Sequence, residues 1–166
     1  MPAPPPPGLS PEARLRHEVT ALLRGRQAHV DAPTALGGVP EARVLDRPDG
    51  APHSLFEIAW HLRFTLRDIL DFCSGPGYAE PAWPDAYWPA PETVARADGA
   101  AYRAEVEAFL ADTDALIDLV QTADLLAELP HAPGFTLLRE AMLAADHAAY
   151  HLGEAVALRR RLGVWP

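Results

Sequence analysis

Ser54-Leu55-Phe56-Glu57-Ile58-Ala59-Trp60-His61-Leu62-Arg63-Phe64-Thr65-Leu66-Arg67-Asp68-Ile69 decides the fold. Its first four residues form an S-x-x-E capping box, in which Ser54 and Glu57 satisfy orphan backbone donors reciprocally at a helix start. Leu55, Ile58, Leu62, Leu66 and Ile69 then recur every three or four residues, the stripe of an amphipathic helix. Gly75-Pro76-Gly77 stops it. His61 falls in the middle of that helix, beside Ile58, Trp60 and Leu62, where a bundle buries it. A buried imidazole needs a polar partner, so another element has to supply one.

The partner is legible in Asp146-His147-Ala148-Ala149-Tyr150-His151, within a helix expected over about 136–162 and closed by Gly163. Residues i and i+4 share a helix face, with Cβ atoms about 5–6 Å apart, so both imidazoles can reach one ion. Neutral imidazole binds zinc, nickel, copper and iron. Taken alone, H-x-x-x-H is more often a pair of surface histidines. Here the pair continues a face carrying Glu140, Ala144, Glu154 and Leu158, polar only around the histidines. With His61, three inward histidines from two helices would form one divalent-metal site, His61, His147 and His151. Three protein ligands leave a position open, the pattern of a catalytic rather than a structural zinc site. A zincin protease needs Glu beside its first histidine, and that neighbour is Ala148. Glu57, a turn before His61, and Glu154, nearly a turn after His151, are the candidate catalytic carboxylates, as bases or as outer acceptors. Capping is the simpler role for Glu57. His17 and His131 are expected to be solvent-exposed. His29 and His53 take surface or capping roles, or border the same cavity. Cys73 reads as a small buried residue, and the four tryptophans read as packing residues.

Two more helices complete a bundle. Ser10-Pro11-Glu12 is a helix start, with Ser as cap and Pro in the first turn. Leu15, Val19, Leu22, Leu23 and Val30 follow a helical period until Asp31-Ala32-Pro33. A third helix spans about 99–121, with Tyr102, Val106, Phe109, Thr113, Leu116 and Val120 at helical spacing. Residues 31–52 read as a long loop with one short helical turn. Residues 75–91 hold five prolines with Tyr78, Trp83, Tyr87 and Trp88, so this loop is expected to pack across the bundle and wall the site. No repeat and no strand is evident. The fold expected is all-α: a four-helix bundle with long crossover loops, in which simple up-down order is not assured. Residues 1–9 form a proline-rich tail and 10–166 one domain.

Charge narrows the partners. The net charge is −9, and all 14 basic residues are Arg. Phosphate surfaces require clustered Lys or Arg, so nucleic acid and anionic membrane are not expected. Arg159-Arg160-Arg161 lies at a helix end, where cations favour the dipole. No apolar run approaches the ~20 residues of a membrane span. The N-terminus lacks the charged start and apolar core of a secretory signal, and Cys73 is alone. A reducing cytoplasm is the simplest location.

The segments 52–62 and 146–154, the latter running on through 158–166, resemble the DinB/YfiT-like superfamily of four-helix metal-dependent enzymes. Trp83-Pro84…Tyr87-Trp88-Pro89 and Thr136-Leu137-Leu138-Arg139-Glu140 resemble one branch of it. The resemblance covers nearly the whole chain after the proline tail. It implies His61, His147 and His151 as ligands of zinc or nickel, and a homodimer. It also implies a low-molecular-weight thiol, as in relatives that are transferases or isomerases acting on small-molecule substrates. Many relatives carry Gln where this chain has Glu154, a change of charge that removes no ligand. The reading is thus a metal-dependent transferase, isomerase or hydrolase. The alternative is a non-catalytic metal- or ligand-binding bundle linked to stress response.

Overall fold

The computed structural model describes residues 5–166; residues 1–4 of the expected tail lie outside the described residues. The described elements are α1 (Pro11–Arg24), α2 (Ala32–Leu36), α3 (Leu55–Ser74), α4 (Pro91–Arg96), α5 (Gly99–Thr122), the strands β1 (Glu128–Leu129) and β2 (Ala132–Thr136), and α6 (Leu137–Leu162), with 3₁₀ turns at Glu41–Arg43 and Asp85–Tyr87. The fold is all-α apart from the two short strands.

The long helices α1, α3, α5 and α6 make the bundle. Helix α3 packs against both α5 and α6, and α1 packs against the same two. Helices α1 and α3 therefore face each other across the diagonal, and the connection 25–54 crosses an end of the bundle. Leu55, Ile58, Leu62, Leu66 and Ile69 of α3 are all buried, against Tyr102, Val106, Phe109, Leu116 and Val120 of α5 and Ala141, Leu152, Ala155 and Leu158 of α6. Burying each large aliphatic side chain contributes roughly 1.5–3 kcal/mol. Small alanines on α6 let it lie close to α3, which brings the histidines of both helices within reach of each other.

The helix starts follow local chemistry. The Ser54–Glu57 capping box is complete, and Asp98 and Thr136 cap α5 and α6 by accepting from Ala101 and Arg139 backbone N–H groups. Helix α1 ends at Arg24, short of Val30, because Gly25 and Arg26 both take positive φ (74° and 60°), which a right-handed helix does not allow. Asp31-Ala32-Pro33 thus opens a new helix: the Asp31 carboxylate accepts from the Thr34 N–H at 3.0 Å.

Three further expectations need correction. A strand pair does exist, with Glu128 opposite Thr136 and Leu129 opposite Ala132. Two and five residues with a turn of Pro130 and His131 between them are too few to give a period-two signal. His131 is half-buried: its Nε2–H donates to the Phe72 carbonyl at 2.7 Å and its ring meets the Phe72 ring edge-on, tying the hairpin to the end of α3. Arg159 is 1% exposed, which a dipole-facing surface residue would not be. It donates to the Thr34 and Ala35 carbonyls at 2.9 and 2.7 Å, closing the open C-terminal end of α2. Tyr102 donates to the Leu36 carbonyl at 2.7 Å on the same short helix, so the crossing segment is held by side chains from α5 and α6.

Candidate metal centre

His61 lies at the end of the second turn of α3, where the stripe of apolar residues faces α6. His147 and His151 lie on successive turns of α6. The packing of these two helices brings all three together. His61 Nε2 is 3.0 Å from His147 Nε2 and 3.1 Å from His151 Nε2. One nitrogen from each ring lies within 4.8 Å of the others. His61 is 4% exposed, His151 is buried and His147 is half-buried, so the cluster opens on the His147 side.

The other ring nitrogens fix the tautomers. A carbonyl oxygen only accepts, and His61 Nδ1 lies 2.6 Å from the Tyr87 carbonyl, so that nitrogen carries the hydrogen. His151 Nδ1 lies 3.0 Å from Glu154 Oε2, and the carboxylate likewise makes it the donor. With both rings neutral, both Nε2 atoms hold lone pairs, and they face each other at 3.1 Å. Two lone pairs at that distance repel unless an electrophile lies between them. His147 has no comparable Nδ1 partner among the described residues, but its one N–H cannot satisfy both rings. In a tetrahedral zinc site with 2.0–2.1 Å bonds, ligand nitrogens sit about 3.3 Å apart. The donor set therefore fits a divalent cation, with the outer carbonyl and carboxylate typical of histidine ligands.

Burial keeps His61 and His147 neutral. Burial pushes His61 down to about 4, against the opposing pull of the Tyr87 carbonyl. Burial, then His151 and His61, push His147 down to about 3. Neutral imidazole is the form that coordinates a metal.

Aromatic rings frame His61. Trp88 stacks on it at 4.1 Å between centroids and 6° between planes. His53 stacks on the far face of Trp88 at 3.6 Å, so His53 borders the site through that indole. Trp83, by contrast, is 74% exposed and touches Tyr87 edge-on. Tyr78 and Tyr87 turn their hydroxyls to Asp68. His29 is exposed; His17, expected to be solvent-exposed, is instead half-buried.

The two candidate carboxylates differ. Glu57 accepts from the Ser54 N–H and hydroxyl at 2.9 and 2.7 Å and pairs with Arg47. Its Oε2 is engaged in capping and its Oε1 by Arg47. Glu154 reaches the cluster through His151. The Tyr87 carbonyl and the Trp88 stack escape a sequence reading: a carbonyl leaves no residue-type signature, and stacking needs the loop path. Asp68 did have a signal, since it stands two turns after His61 on one face of α3.

A helical bundle with three histidines converging from facing helices is an arrangement that could hold a metal ion in its interior. The chain belongs to the DinB superfamily, whose family model matches residues 14–155 and so includes all three histidines. No curated protein and no solved structure gives a significant match.

Proposed function

We propose that His61, His147 and His151 hold one divalent cation, zinc or nickel, at the centre of a metal-dependent enzyme acting on a small molecule, with a low-molecular-weight thiol as co-substrate. The observation that carries this reading is the pair of lone-pair-bearing nitrogens, His61 Nε2 and His151 Nε2, held 3.1 Å apart with both Nδ1 hydrogens engaged. A metal bound by three neutral ligands keeps its double positive charge and supplies a Lewis acid that lowers the pKa of a bound water or thiol. The chain's own residues prepare that centre. Tyr87 and Glu154 fix two rings in the coordinating tautomer. Trp88 covers the face of His61 and keeps bulk water off it. Glu154, 29% exposed in its side chain, stands at the rim, where an approaching group meets its second oxygen.

One observation favours a second reading, a metal-holding bundle without turnover: Glu57 is consumed by capping and Glu154 already accepts from His151. The test is elemental analysis of untagged protein, followed by a thiol-conjugation screen with the metal restored. Stoichiometric zinc or nickel, lost in His61→Ala, with thiol- and metal-dependent turnover supports the enzyme. Stoichiometric metal without turnover across the screen supports the second reading. Equal metal content in wild type and His61→Ala refutes both.

A further inference from the structure

Asp68 touches no histidine, yet it holds the loop that touches His61. Its Oδ1 accepts from the Tyr78 hydroxyl at 2.9 Å, and its Oδ2 accepts from the Tyr87 hydroxyl at 2.7 Å. Both oxygens of one carboxylate are thus spent on the two ends of the aromatic loop. Tyr87 is buried and forms part of the 3₁₀ turn Asp85–Tyr87, and its carbonyl is the acceptor at 2.6 Å from His61 Nδ1. The next residue, Trp88, is the one stacked on the His61 ring. Phe64, one turn before Asp68 on α3, meets the Tyr87 ring edge-on. One staple therefore fixes the edge of His61, through Tyr87, and its face, through Trp88. Burial and the Asp68 carboxylate both raise the Tyr78 and Tyr87 hydroxyls, which keeps them protonated donors.

We infer that Asp68 is a positioning residue for the histidine centre: by binding the Tyr78 and Tyr87 hydroxyls it holds the Tyr87 carbonyl on His61 and so sets the tautomer and metal affinity of a ring it does not contact. The inference rests on the metal reading above. Outer partners of metal-bound histidines are worth 10–100-fold in affinity, and a residue one step further out is placed at the lower end.

The test is a zinc competition titration on the full chain, with ring ¹⁵N shifts of His61 read by NMR in the zinc-free protein. Asp68→Ala is expected to weaken zinc about tenfold and to release His61 from a single tautomer into a mixture. Tyr87→Phe, which deletes one hydroxyl and keeps the ring and carbonyl, should do the same in smaller measure. It should add nothing on top of Asp68→Ala, because the two act as one unit. Asp68→Asn retains an acceptor oxygen and should recover part of the loss. If Asp68→Ala destabilises the bundle too far to titrate, Tyr87→Phe carries the test alone. Affinity within twofold of wild type with an unchanged His61 tautomer overturns the inference and leaves the metal reading intact. Additive effects of Asp68→Ala and Tyr87→Phe also overturn it. Wild-type protein that binds no zinc or nickel removes the metal reading, and this inference with it.

Discussion

At the residue scale, the histidine cluster ties stability to pH. In the unfolded chain each histidine titrates near 6.5; folded, His61 is held at about 4 and His147 at about 3. Between those values the unfolded state binds more protons, so stability rises with pH there and is lost as pH falls. Its full share is present above about 6.5 and disappears towards pH 3–4. For His61 alone the span amounts to about 3 kcal/mol. Urea midpoints of zinc-free protein should therefore fall between pH 6.5 and 4, and the His61→Ala variant should show a shallower fall. A midpoint flat across that window would contradict the buried-neutral account. Glu154→Ala is a separate residue-scale case. It frees His151 Nδ1 and should weaken zinc about tenfold, whereas Glu154→Gln keeps a carbonyl acceptor and should weaken it less. Equal losses in the two variants would mean that charge, not ring orientation, is what Glu154 contributes. The candidate site was legible at this scale because imidazoles at i,i+4 and one inside an apolar stripe carry their meaning in residue type. The Tyr87 carbonyl carries none, since every residue has one.

At the scale of elements, the helices were legible wherever caps and stripes coincided. Ser54 and Glu57 mark the start of α3, and Gly75 its end, because capping chemistry is local. Ser54→Ala removes the side-chain half of that box in a buried setting and should cost about 1–2 kcal/mol, read as a lowered urea midpoint with the helix content unchanged. The misread boundaries were set by tertiary structure or backbone strain. The end of α1 depends on two residues with positive φ, and Arg26 gives no compositional warning of that backbone. The role of Arg159 depends on α2 ending against α6, a contact between residues 124 and 125 apart in sequence. Nothing in an Arg-Arg-Arg run says which member turns inward. The hairpin is likewise decided by what it covers, since His131 and Phe135 pack on Phe72.

At the scale of the whole molecule, the histidine centre and the apolar core are neighbours but not the same structure. Classical zinc fingers unfold without metal because they have little else to bury. Here the core runs from Val19 of α1 through α3 and α5 to Leu162 of α6, and it is built of apolar side chains from all four long helices. The fold should therefore survive chelation. The cluster does bridge α3 and α6, so a cation bound there binds the folded state and not the unfolded one. Such binding stabilises by RT ln(1 + [L]/Kd), about 2.7 kcal/mol at a hundredfold excess over Kd. For a chain of this size each kcal/mol moves the melting temperature by about 2–4 °C. Adding zinc at a hundred times its Kd should thus raise Tm by about 5–10 °C over chelated protein, with the far-UV helical signal the same in both states. In His61→Ala the two remaining histidines lie on α6 alone, so a cation there would no longer link two helices. The zinc-dependent shift should then nearly vanish, while the variant still melts cooperatively. Loss of helix on chelation would place the metal in the folding core instead. A full zinc shift in His61→Ala would mean that the stabilising ion sits somewhere other than between these two helices.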